Sequence, residues 1–204
     1  MSDSYKYIDP DYTYIDPVSG LLKNLLNISD YEVLLFVESS AVSKRLQELF
    51  KNPIKIKGTS SLLEIHHYLF QDIYAWAGKV RTVNISKDGK PFFDGERFSS
   101  AFQYIDSLIE EYRTIDPSNF AEIAKALASI LDHVNFLHPF REGNGRTQRE
   151  FIRLLALEKE LTLNLNPADN TTVYNQYMQG TINGDIELLS QLIFEQINNS
   201  NLKQ

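Results

Sequence analysis

Apolar residues recur at spacings of three and four through Phe120, Ile123, Ala124, Leu127, Ile130, Leu131, Val134 and Leu137. That stripe predicts one buried face of a helix about five turns long. Asp116 and Pro117 supply a cap and first-turn proline, and His138-Pro139 ends the run. The helical pattern resumes over 146–160 through Phe151, Leu154 and Leu155, and again near 168–179 and 184–197, split by Gly180 and Gly184. Earlier in the chain, Ser29 stands three residues before Glu32, a capping-box spacing that predicts a helix to about Phe50. Residues 60–76 and 95–112 carry further helical patterning.

The period changes once. VRTVNIS, residues 80–86, alternates and is β-branched, which predicts a strand. Asp88-Gly89 then signals a hairpin turn into KPFF. Residues 1–27 are polar and rich in tyrosine and proline, and read as an arm packed on a domain spanning 28–204. The expectation is one all-α helical domain with one small β-hairpin.

Composition narrows the chemistry. The hydrophobic fraction of 43% suits a sizeable core. A net charge of −7 argues against a general nucleic-acid binder, and therefore against direct nucleic-acid contact. The absence of cysteine excludes disulfides, thiol nucleophiles and cysteine-ligated zinc. The N-terminus lacks the basic-then-apolar order of a signal peptide, and no segment reaches the roughly 18 apolar residues of a membrane span. The expectation is a cytoplasmic protein with no membrane partner.

The chemistry concentrates in HPFREGNGRTQR, residues 138–149. Gly143 and Gly145 free the backbone to turn and to approach a ligand closely. The helix after them points its N-terminal amides into that turn, a site for anions. Arg146 and Arg149, three apart, share one face and match phosphate oxygens. Glu142 beside them would repel phosphate unless a divalent cation such as Mg²⁺ bridges the two. His138 can accept a proton at neutral pH. Base, carboxylate and anion cradle together suggest transfer of a phosphorus-centred group. His133 reads as structural, because histidine metal pairs on one helix face are four apart. His66 and His67 are adjacent and point apart on a helix, so they are poor joint ligands.

The stretch matches the Fic-family motif H-x-F-x-(D/E)-G-N-G-R-x-x-R at every specified position. The likeness extends to LLKNLLNI, DIYAWAGKVRTVNIS and NQYMQGTINGDIELL, and resembles small bacterial cell-filamentation-type Fic toxins. The resemblance implies a helical Fic fold with a flap beside the active loop, and a protein adenylyltransferase that moves AMP from ATP to a Ser, Thr or Tyr hydroxyl. It implies that His138 is the general base, Phe140 a core anchor and Glu142 the Mg²⁺ ligand. It makes Gly143, Asn144 and Gly145 the anion cradle, with Arg146 and Arg149 toward the β- and γ-phosphates. Tyr174, Asn175 and Tyr177 would border the adenine. The segment Ile85, Ser86, Lys87, Asp88, Gly89, Lys90, Pro91, Phe92 corresponds to the flap, where an extended target would dock by strand addition.

Many Fic proteins carry a brake of pattern [S/T]-x-x-x-E-[G/N]. Ser60–Glu64, Ser107–Glu111 and Ser118–Glu122 have its first spacing but are followed by Ile65, Tyr112 and Ile123. Either the chain is unregulated or the brake comes from another protein. The second case is the family's toxin–antitoxin arrangement, and there the resemblance implies a small antitoxin supplying an inhibitory Glu in trans, and a target such as a type II topoisomerase subunit. The competing readings are a Fic-fold enzyme that moves another phosphate-containing group, and a non-catalytic helical binding module.

Overall fold

The computed structural model describes residues 6–7, 12–87 and 90–201. The chain enters with strand β1 (Lys6–Tyr7) and turns through helices α1 (Tyr31–Lys51) and α2 (Thr59–Phe70). Strands β2 (Ile85–Lys87) and β3 (Lys90–Pro91) follow. A 3₁₀ turn at Gly95–Arg97 leads into α3 (Phe98–Thr114), α4 (Phe120–Leu137), α5 (Asn144–Leu157), α6 (Thr171–Asn183) and α7 (Ile186–Asn201). The fold is mostly helical with a small sheet, as the pattern predicts.

α4 runs through the middle, packed by α3, α5 and α7. Its stripe of Ile123, Ala124, Leu127, Ala128, Ile130, Leu131, Val134 and Leu137 is fully buried. Each buried Leu or Ile there contributes about 1.5–3 kcal/mol relative to an exposed side chain. Gly180 lies inside α6 rather than after it, and a Cβ there would stand 2.6 Å from Leu189 Cδ2. Glycine lets α7 pack against α6 at that point.

Helix starts differ from expectation where local hydrogen bonds compete. α1 is capped by Asp30, whose side chain accepts from Val33 N at 2.9 Å, not by Ser29. α4 is capped by Asn119, while Asp116 turns its oxygen onto Ser118 N at 2.8 Å. Short polar side chains choose between cap and turn by geometry that spacing does not encode.

The expected strand over 80–86 shrinks to Ile85–Lys87. The backbone before it bonds elsewhere: Arg81 N donates to the Pro139 carbonyl at 2.7 Å, and Thr82 N donates to the Tyr14 hydroxyl at 3.0 Å. Tyr14 is itself buried and packs edge-on against Trp76. β2 is the middle strand of three, pairing antiparallel with β1 (Tyr7↔Ile85) and β3 (Ser86↔Pro91). Among the described residues β1 and β3 are therefore the outer strands. The turn residues Asp88 and Gly89, and most of the N-terminal arm before Tyr12, lie outside the described residues.

Candidate active site

α4 ends where His138 takes the left-handed conformation, φ 44° and ψ 60°, as its cap. The following proline disfavours the right-handed helical region for His138, so the sequence itself sets this stop. His138 N still donates to the Val134 carbonyl. The ring's Nδ1 lies 3.1 Å from the Asn135 carbonyl, which can only accept. In the neutral ring the proton is therefore assigned to Nδ1, and Nε2 is the acceptor nitrogen.

The chain from 139 to 143 is braced from three sides. Asn144 accepts from Phe140 N at 2.9 Å and donates to the Phe140 carbonyl at 2.8 Å. Its amide is spent inside the loop, so its share in an anion cradle is its backbone N–H. Phe140 is buried and stacks on His66 with ring centroids 3.7 Å apart. His66 Nδ1 accepts from Gly78 N at 2.8 Å, which leaves its Nε2–H to donate to the Glu142 carbonyl at 3.0 Å. Burial pushes the His66 pKa down to about 3. His66 is thus a neutral prop beneath the loop, an arrangement its sequence position does not advertise.

Gly143 opens α5 at φ 82°, and a Cβ there would stand 2.3 Å from the Phe70 ring. Only glycine fits. A Cβ at Gly145 would lie 3.3 Å from Arg149 Nη1, so Gly145 lets that guanidinium fold close to the helix start. Arg149 lies over the rings of Tyr174 and Tyr177, 5.3 and 5.1 Å from their centroids. Among the described residues no carboxylate forms an ion pair with it.

Arg146 is held differently. Nη1 pairs with Glu38 at 2.6 Å, Nη2 reaches Glu142 at 3.4 Å, and the guanidinium lies 4.7 Å over Phe70. Glu38 also accepts from the Tyr74 hydroxyl. Leu34, Glu38 and Val42 follow one buried stripe of α1, so a carboxylate stands where spacing calls for an apolar residue. That anomaly is legible in the sequence and marks a site partner the motif does not include.

These groups converge on one cavity of about 680 Å³, lined by His138, Glu142, Gly143, Gly145, Arg146, Arg149, Tyr174 and Tyr177 among others. Phe92 from the flap stacks on the His138 ring, centroids 3.8 Å apart. Gln148 donates to the buried Tyr177 hydroxyl, and Asn135 donates to the Thr181 carbonyl at 2.9 Å. Asp132 lies along the same wall, and burial raises its pKa above the usual carboxylate value. Two expected residues fall elsewhere. Asn175 is exposed on α6 and does not line the cavity, because the 3.6-residue period turns it away when Tyr174 and Tyr177 face in. Ile85 is 3% exposed, so its side chain is not presented to a docking strand.

Among the described residues no cluster of three His, Asp or Glu could cage a metal. The donor set suits Mg²⁺ nonetheless. Glu142 is a half-exposed carboxylate on the cavity wall beside two arginines. Mg²⁺ is ordinarily held by one or two carboxylates plus substrate phosphates.

The fold and site define a helical protein in which a helix start, two arginines and a histidine share one cavity. The Fic/DOC family model matches residues 57–156. Protein adenylyltransferase VbhT of Bartonella schoenbuchensis is 36% identical over 192 residues, covering 92% of this chain and 39% of that protein. The probable protein adenylyltransferase Fic of Escherichia coli K12 is 29% identical, covering 97% of this chain and 96% of that one. The crystal structure of BepC from Bartonella tribocorum with bound AMPPNP superposes with a TM-score of 0.78 at 20% identity, over 91% of this chain and 96% of that one. The chain belongs to the Fic/DOC family. It spans about two fifths of the length of VbhT. Among the described residues no helix is long and apolar enough to cross a membrane.

Proposed function

We propose that the chain is a protein adenylyltransferase, transferring AMP from ATP to a Ser, Thr or Tyr hydroxyl of a target protein. The observation that carries this reading is the convergence of His138, the Gly143–Gly145 helix start, Arg146 and Arg149 on one cavity. The names of the full-length and partial relatives support it.

Nε2 of His138 takes the proton of the target hydroxyl. The oxygen attacks the α-phosphorus, the bond from that phosphorus to the α,β-bridging oxygen breaks, and pyrophosphate leaves. The Nδ1–H bond to the Asn135 carbonyl steadies the imidazolium that results. The amides at the start of α5, with Arg146 and Arg149, hold the phosphates and the charge that develops on them. Glu142 would hold Mg²⁺, which would neutralise phosphate charge as a Lewis acid when bound. No covalent enzyme intermediate is required, so positioning and charge stabilisation supply the rate.

Regulation in trans is part of the same reading. A groove of about 600 Å³ runs between α1 and α5, lined by Val42, Leu46, Phe50 and Leu157 and reaching Arg146, Arg149 and Arg153. Phe50 is 72% exposed at its rim. An amphipathic antitoxin helix carrying one glutamate matches this apolar floor and cationic end. The setting is the cytoplasm, and a type II topoisomerase subunit is the proposed target.

The test is incubation of the purified protein with α-labelled ATP, Mg²⁺ and host lysate. Wild type labels protein. His138→Ala abolishes labelling while ATP affinity stays within a few-fold, since the phosphate contacts lie at 142–149. Unchanged labelling by the variant overturns the assignment of the base. Labelled ADP with no labelled protein, the sign of γ-phosphate loss or transfer, overturns the adenylyl reading.

A further inference from the structure

One buried cation sits outside the motif, in the segment between α2 and the flap. Arg81 is 3% exposed, and no carboxylate forms an ion pair with it among the described residues. Carbonyls solvate it instead. Nε donates to the His138 carbonyl at 2.8 Å, and Nη2 reaches the Leu137 carbonyl at 3.5 Å. Nη1 donates to the Val83 carbonyl at 2.8 Å and to Asn84 Oδ1 at 3.3 Å. Nη2 also donates to the Phe93 carbonyl. The guanidinium lies 4.9 Å over the Phe98 ring. Desolvation lowers its pKa, and Asp94 offsets part of that.

The partners fall into two groups with different jobs. The Leu137 and His138 carbonyls are orphan acceptors at the negative end of α4, where a cation is favoured. Val83, Asn84 and Phe93 flank the hairpin on both sides. One planar fork with five donors therefore ties the backbone of the proposed base to both arms of the flap. A lysine could not do this, because its ammonium is a point charge without the fork's spread.

We propose that Arg81 is a positioning residue that fixes His138 and the flap as one unit, so that an acceptor hydroxyl held at the flap meets Nε2 in register. This rests on the transferase reading above. The stacked Phe92 and His138 rings report the register directly. Nucleotide contacts on α5 do not pass through Arg81. Misplacement of reacting groups by about 1 Å can cost on the order of a hundredfold in rate.

The experiment compares wild type, Arg81→Lys and Asn84→Ala in four measurements: the Phe92–His138 ring contact by NMR, ATP affinity by calorimetry, thermal stability, and label transfer from α-labelled ATP to lysate proteins. For Arg81→Lys the ring contact is lost, transfer falls about a hundredfold, and ATP affinity changes less than threefold. Asn84→Ala removes a flap-side partner only, so the apparent KM for protein acceptor rises while kcat holds. The proposal is overturned if the ring contact and transfer survive in Arg81→Lys. It is also overturned if transfer, ATP affinity and thermal stability fall together in both variants, the pattern of a merely structural residue. A wild type that binds ATP yet labels nothing sinks the transferase reading, while loss of the ring contact in Arg81→Lys still reports the coupling.

Discussion

Acid should loosen this protein through one residue, His66. It is buried, stacked between Phe140 and Phe70, and bonded at both nitrogens. Gly78 N–H already points at Nδ1, so a second ring proton has no acceptor there. Its pKa falls from 6.5 to about 3, with desolvation the first cause and the Glu142 carbonyl bond opposing it. A depressed folded-state pKa means that the stability is fully present above pH 6.5 and is lost as pH falls toward 3. The slope is about 1.4 kcal/mol per pH unit across that window, so this group alone removes ~2 kcal/mol by pH 5. Urea unfolding at pH 7, 6 and 5, with wild type beside His66→Gln, measures it. The glutamine has no titrating proton, so the variant should start less stable at pH 7 and lose ~2 kcal/mol less than wild type on the way to pH 5. Parallel curves would refute the argument, because the acid slope would then belong to other groups. Since His66 holds the Glu142 carbonyl, ATP affinity should weaken over the same pH window in wild type.

Two further outcomes follow from the site. Gly143→Ala combines a left-handed backbone with a Cβ 2.3 Å from the Phe70 ring, so it should cost roughly 2–5 kcal/mol. Calorimetry should show a Tm lowered by roughly 5–15 °C, and a drop under 2 °C would mean the loop relaxes freely. Glu38→Gln leaves Arg146 without its shortest ionic partner, so ATP binding should weaken about tenfold, worth ~1.4 kcal/mol, while AMP, which has no β-phosphate, binds as before. Equal effects on both nucleotides would show that Glu38 supports the fold and not the arginine.

The apolar stripe of α4 determined by itself that a long buried helix ends at His138, because period and proline are local facts. HPFREGNGRTQR likewise marked the loop: Gly143 is required by its close approach to Phe70, and Gly145 leaves room for Arg149. The helical fold with a small hairpin was legible for the same reason. The props were not. His66 reaches Glu142 across 76 positions, and Glu38 lies in α1, more than a hundred residues before the Arg146 it pairs with. Nothing local distinguishes a histidine under a loop from one on a surface. The strand over 80–86 failed because Arg81 and Thr82 spend their amides on Pro139 and Tyr14, partners that only the folded chain supplies. Asn175 lies outside the cavity because the phase of α6, not its composition, decides which residues line it. The motif is written in twelve consecutive residues, but the backbone that carries it is held by side chains which only tertiary packing brings together.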